Sequence, residues 1–196
     1  MSLSAALQYV ETVVIAADID HPTDADLLEH AVRTLGGLVR RIHGRGAATR
    51  TAFRDRSRSA GRRLKQISRT LRRRTGQAPV EIDRLTAQVA AIARRALPQA
   101  ERVGRNARRA RAKRNSDGRL RRLVERLEEA TAATRRLLEQ TRQRLAGNRV
   151  IADRLVSLAD PDARPIRKGK PRTPTQFGYP VRLYPAAGRG RARFHR

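Results

Sequence analysis

The sequence predicts a mainly α protein: long Arg-rich helices forming antiparallel coiled-coil or helical hairpins, then a short β-hairpin-like segment and a disordered tail. Three observations carry this. Leu, Ile, Val and Phe make up only 42 of the 196 residues, too few for a large globular core in so charged a chain. The apolar residues that exist recur at spacings of 3 and 4, which draws a stripe along a helix. Beyond Gly147 that rhythm gives way to Pro, Gly and alternating residues.

The elements follow in order. Pro22-Thr23 before Asp24 and Asp26 is a helix start, with Thr23 as cap and two carboxylates at the positive helix end. Leu28, Val32, Leu35, Val39 and Ile42 form its seam, Gly36-Gly37 weaken it, and Gly44 and Gly46 end it. A second helix is expected over about 48–75, with Phe53, Ala60, Leu64, Ile67 and Leu71 inward and Arg at most other positions. A third carries Ile82, Leu85, Val89, Ile92 and Ala96 up to Pro98 and continues weakly through Val103, Ala107 and Ala110. Asn115-Ser116-Asp117-Gly118 is a turn. The last helix places Leu120, Val124, Leu127, Thr131, Thr134, Leu138, Thr141 and Leu145 on one seam, with Gly147 as terminator. Its threonines are poor coiled-coil residues, so the second half is expected to pack weakly. Val150-Ile151 and Leu155–Leu158 read as a short strand, the stretch to Thr175 as a Pro- and basic-rich loop, and Phe177 through Leu183 as a second strand. Four regions result: an acidic helical region over 1–47, a basic helical coiled-coil region over 48–147, the start of a further domain over 148–184, and a disordered basic tail over 185–196.

Charge points to a partner. Lys and Arg number 45 against 18 Asp and Glu, for a net charge of +27, and all but Lys65, Lys113, Lys168 and Lys170 of the basic residues are Arg. Residues 1–39 carry −5, whereas residues 40–122 carry +22. Such a block repels itself unless a polyanion neutralises it, and DNA, met mainly at its phosphates, is the first candidate. Only Phe53 interrupts the block as an aromatic, which argues against base stacking. The helices lack the Trp- and Phe-rich face of membrane-surface helices, so no membrane partner is expected. The candidate contacts are Arg62, Arg63, Arg69, Arg72, Arg73 and Arg74 on the second helix, and Arg108, Arg109, Arg111, Lys113 and Arg114 closing the third. The acidic N-terminal region could fold back on this block as a counter-charge, and the seams could also pair between copies of the chain as a homo-oligomer.

Catalytic signatures are sparse. There is no Cys, which removes disulfides, zinc ribbons and thiol nucleophiles and fits a reducing compartment. His21, His30, His43 and His195 show no metal-ligand spacing, and Gly44-Arg45-Gly46 lacks the lysine and hydroxyl of a phosphate-binding loop. No apolar run approaches the roughly 18–20 residues that span a bilayer. The short apolar stretch Val13–Ala17, behind Glu11, does not read as a signal peptide, so the expected location is cytoplasmic and nucleoid-associated.

The run Leu155-Val156-Ser157-Leu158-Ala159-Asp160-Pro161-Asp162-Ala163-Arg164-Pro165-Ile166-Arg167-Lys168-Gly169-Lys170, followed by Pro174-Thr175-Gln176-Phe177-Gly178-Tyr179, resembles the opening of the catalytic domain of ISNCY-type insertion-sequence transposases. In that family a long Arg-rich helical region precedes the segment. The resemblance implies a DDE-class enzyme with a ribonuclease-H-like fold, in which three carboxylates hold two Mg²⁺ ions for DNA strand transfer. It makes Asp160 the first carboxylate, vestigial here, with Asp162 as the fallback. In relatives the other two carboxylates come much later; here alternation dissolves after Leu183. The resemblance therefore implies the N-terminal portion of a transposase, truncated or frameshifted, inactive alone and without a cofactor of its own. The alternative expectation is a stand-alone basic coiled-coil protein that binds nucleic acid or acts as a scaffold.

Overall fold

The structure is a computed structural model that describes residues 11–16, 23–73, 76–113, 118–148, 150–170 and 173–183. Among them are four helices and three strands, and the chain divides into two compact units: His21–Ala152, which is helical, and a sheet unit built from Met1–Asp20 with Asp153–Arg196. None of the helices is long and apolar enough to cross a membrane.

Helix α1 spans Asp24–Gly44. Its start is a capping box: the Asp26 amide donates to the Thr23 hydroxyl at 3.2 Å and the Thr23 amide donates to the Asp26 carboxylate at 3.3 Å. All five expected seam residues, Leu28, Val32, Leu35, Val39 and Ile42, are buried. Helix α2 spans Ser57–Arg73, nine residues shorter at its start than the sequence suggests. Side chains explain the delay. The Asp55 carboxylate accepts from the Ser57 amide at 2.9 Å and from Arg40 at 2.8 Å, and Gln99 accepts the Arg54 amide at 3.0 Å. The loop before α2 thus has its backbone donors satisfied without helix. The bonds from Ser57, with a smaller contribution from Arg40, hold the Asp55 carboxyl below its usual range despite its partial burial.

Helix α3 runs Ala78–Lys113 and passes through Pro98 instead of stopping there. Ala96, Leu97, Ala100 and Val103 on either side of the proline are buried. Their packing outweighs the roughly 3 kcal/mol that an interior proline costs. Helix α4 spans Gly118–Leu145, and Gly147, at φ +94°, closes it: the Asn148 amide donates to the Gln143 carbonyl at 3.0 Å.

The seams close on one another as a helical bundle. One core cluster joins Leu35, Val39 and Ile42 of α1, Ala100, Val103 and Ala107 of α3, and Leu120, Val124 and Leu127 of α4. A smaller one joins Ala25, Ile67 and Leu85. The alanines of α3 let neighbouring helices approach from more than one side, which turns a stripe into a broad face. The expected weak half of α4 is instead buried: Thr131, Thr134 and Thr141 each donate their hydroxyl to a carbonyl one turn back, at 2.8, 2.6 and 2.7 Å. Their polar atoms are satisfied within the helix, so only methyl groups face the core.

Two adjacent glycines in α1 have opposite surroundings. A Cβ on Gly36 would stand 3.1 Å from the Asp55 carboxylate, whereas one on Gly37 meets nothing within 4 Å. Gly37→Ala is expected to raise stability by about 1 kcal/mol from helix propensity alone. Gly36→Ala should recover distinctly less, because the Asp55 cap must shift; urea denaturation of both variants measures the difference.

In the other unit β1 (Glu11–Ala16), β2 (Arg164–Lys170) and β3 (Thr173–Leu183) form an antiparallel sheet of order β1-β3-β2. This corrects two expectations. The region 1–47 is not helical throughout, since Glu11–Ala16 is a strand with Val13 opposite Val181 and Ile15 opposite Tyr179. Nor is there a strand over 150–158: those residues are irregular apart from a turn at Ala152–Asp153, and the strand falls in the expected loop, at Arg164–Lys170. Pro165 is tolerated there because β2 is an edge strand. The expected tail over 185–196 lies outside the described residues.

Candidate nucleic-acid interface

Helix α2 has the sequence SRSAGRRLKQISRTLRR, with seven basic residues and no carboxylate. Its inward face is thin, Ala60 and Ile67 being buried and Leu64 half-buried. That geometry turns Arg58, Arg62, Lys65, Arg69, Arg72 and Arg73 outward into solvent, with Arg63 half-buried. Among the described residues none of the seven forms an ion pair; Arg63 donates to Gln66 at 2.9 Å and Arg62 reaches Ser59 at 3.5 Å. Just ahead of the helix, burial together with Arg54 and Arg95 lowers the guanidinium pKa of Arg56, a sign of crowded positive charge.

Elsewhere on the bundle several arginines are balanced by carboxylates. Arg84 pairs with Glu81 at 2.6 Å, Arg135 with Glu101 at 2.5 Å, Arg142 with Glu139 at 2.7 Å, and Arg108 with Glu128. Hydrogen bonds from Arg142 and then Gln143 push the Glu139 carboxyl down to about 2. The acidic residues of α1 do not act as counter-charge to α2. Asp26 caps its own helix, Glu29 pairs with Arg33, and Asp24 accepts from Arg144 at 2.8 Å.

The candidate contacts therefore divide. Arg62, Arg63, Arg69, Arg72 and Arg73 share α2, and Arg74 lies outside the described residues. Arg108, Arg109, Arg111 and Lys113 sit in the last turns of α3, and Arg114 is again outside the described residues. The two groups are not brought together: Arg108 stands thirty residues beyond Ala78, about 45 Å along the helix from the end that adjoins Arg73. Arg108 is also neutralised by Glu128, whereas Arg109 is exposed.

A second cationic feature lies between the end of α1 and the first turns of α4. Arg41, Arg45, Arg119, Arg122 and Arg126 line a cleft of about 530 Å³ with Leu123, and no carboxylate among the described residues lines it. The signal for its α4 half is the spacing Arg119, Arg122, Arg126, which puts three guanidinium groups on one helical face. Its closure by Arg41 and Arg45 depends on how α1 packs.

In the sheet unit Asp160 accepts a hydrogen bond from the Tyr179 hydroxyl, and the Ser157 hydroxyl accepts from the amides of Ala159 and Asp160 at 3.2 and 3.1 Å. This is a capped turn, with the carboxylate facing a tyrosine. Asp162, two residues on, is exposed. Among the described residues no three Asp, Glu or His side chains are grouped to hold a metal ion. Comparison with protein-family models, curated proteins and solved structures gives no match.

Proposed function

We propose that this chain binds duplex DNA through its phosphates, as the N-terminal, DNA-binding portion of an ISNCY-type DDE transposase, and that it performs no strand transfer alone. The observation that carries the DNA-binding part is the outer face of α2: six exposed cationic side chains, a seventh half-buried, and no carboxylate on the helix. A row of Arg side chains one helical turn apart matches closely spaced phosphates and releases their counterions. The placement among transposases rests on the resemblance of Leu155–Tyr179, and the lack of strand transfer on the surroundings of Asp160, a carboxylate engaged by Tyr179.

One observation favours a second reading, a stand-alone basic helical protein that binds nucleic acid. The segment resembling the opening of a catalytic domain pairs with Glu11–Ala16, a strand from ahead of the helices. Both readings share the phosphate interface and differ only in what surrounds it.

The interface is tested by electrophoretic shift on two duplexes of unrelated sequence. Contact with even six phosphates predicts about a 10³-fold loss of affinity between 50 and 200 mM salt, equal for both duplexes. Salt-independent binding, or a preference of 10³ or more for one duplex, would overturn the proposal.

A further inference from the structure

We propose that the arginine cleft between α1 and α4 is a second, independent seat for a DNA backbone, so that one copy of the chain holds two duplexes at once. The inference rests on the phosphate-binding reading above and goes beyond it in number and placement of sites.

Packing separates the two cationic features. Helices α1 and α3 pack on each other and both pack on α2 and on α4, whereas α2 and α4 share no comparable contact. They therefore flank the α1–α3 pair on opposite sides. The features are also offset along the bundle. Gly61 of α2 lies against Glu29 of α1, with 3.7 Å between a Cβ built on the glycine and the carboxylate, and Arg41 is twelve residues, or about 18 Å, further along α1. The cleft is lined from α1, the residue after it and α4, with no contribution from α2.

The chemistry of the cleft suits a phosphodiester. Its guanidinium groups are planar forks that grip phosphate oxygens bidentately. Arg41, Arg122 and Arg126 form no ion pair among the described residues, although Glu125 next door is engaged by Arg121 at 3.7 Å. Arg41, Arg122 and Arg126 around one concave surface repel each other until an anion enters. Among the described residues the cleft lining holds no aromatic ring on which a base could stack, which favours contact with the backbone.

Capture of a labelled duplex on beads carrying a second duplex tests this, using the full chain. Two variants are compared at protein concentrations giving equal occupancy of a single duplex: Arg119→Gln/Arg122→Gln/Arg126→Gln, and Arg62→Gln/Arg69→Gln/Arg72→Gln/Arg73→Gln. Each is expected to bind one duplex and to lose capture of the second at least tenfold, and sedimentation of the unsubstituted complex should give two duplexes per chain. Arg122→Lys/Arg126→Lys, which keeps the charge but loses the fork, should capture more of the second duplex than the Gln variant, and circular dichroism of every variant checks that helix content is kept. If both Gln variants still capture as well as the original, bridging runs through paired copies and the inference fails. If the original chain binds DNA without capturing a second duplex, the inference fails alone; if it binds no DNA, the phosphate-binding reading fails with it.

Discussion

Replacing Arg62, Arg63, Arg69, Arg72 and Arg73 together with Gln is expected to reduce the slope of log K against log salt by about 4 to 5. Each α2 cation that meets a phosphate contributes close to one unit of slope through counterion release, and these five have no carboxylate to neutralise them. Binding at the α2 face should fall by several orders of magnitude at 50 mM salt, leaving only the cleft to hold a duplex, while helix content stays unchanged, since four of the five are exposed. A paired control isolates the mechanism. Arg84→Gln/Arg142→Gln removes two arginines already compensated by Glu81 and Glu139, and the slope should move by less than about 1. Fluorescence anisotropy over a salt series reads both.

Arg144→Leu is expected to cost about 3 to 5 kcal/mol of stability in urea denaturation. Arg144 donates to Asp24 at 2.8 Å and to Asp83 at 2.9 Å, tying the end of α4 to the starts of α1 and α3. The Asp24 side chain is 0% exposed, and Gln140 also donates to it at 3.2 Å. Removing Arg144 takes a cationic partner at 2.8 Å away from a fully buried carboxylate, which costs far more than the ion pair is worth against an apolar pair. The same logic fixes the double variant: Asp24→Leu/Arg144→Leu should be more stable than Arg144→Leu alone, a non-additivity that identifies the buried charge as the cause. Glu139→Gln, breaking the exposed pair with Arg142, should change stability by no more than about 1 kcal/mol.

The parts legible in the sequence are those decided within a few residues. The capping box from Thr23 to Asp26 sets the start of α1, and Gly147 ends α4 with a left-handed residue. Features decided by distant partners were not legible. Helix α2 begins at Ser57 because Gln99, 45 residues from Arg54, satisfies the loop ahead of it. Strand β1 depends on pairing with residues near the other end of the chain, and its apolar run alone does not say so. Pro98 stops a helix on local grounds, yet the packing of Leu97 and Ala100 carries α3 past it. At the candidate interface the density of arginine was visible, but not which arginines are spent on carboxylates. Arg108 looks equivalent to Arg109 until Glu128 of α4 is placed beside it. The spacing of Arg119, Arg122 and Arg126 marks a face, and only the packing of α1 makes it a cleft.

Arginine-directed modification, read residue by residue by mass spectrometry with and without duplex DNA, probes the phosphate interface most directly. Protection is predicted at Arg62, Arg69, Arg72, Arg73, Arg122 and Arg126, with Arg84 and Arg142 unchanged. Protection spread evenly over all arginines, or confined to the sheet unit at Arg164, would contradict the assignment of DNA binding to the uncompensated faces of the helical unit.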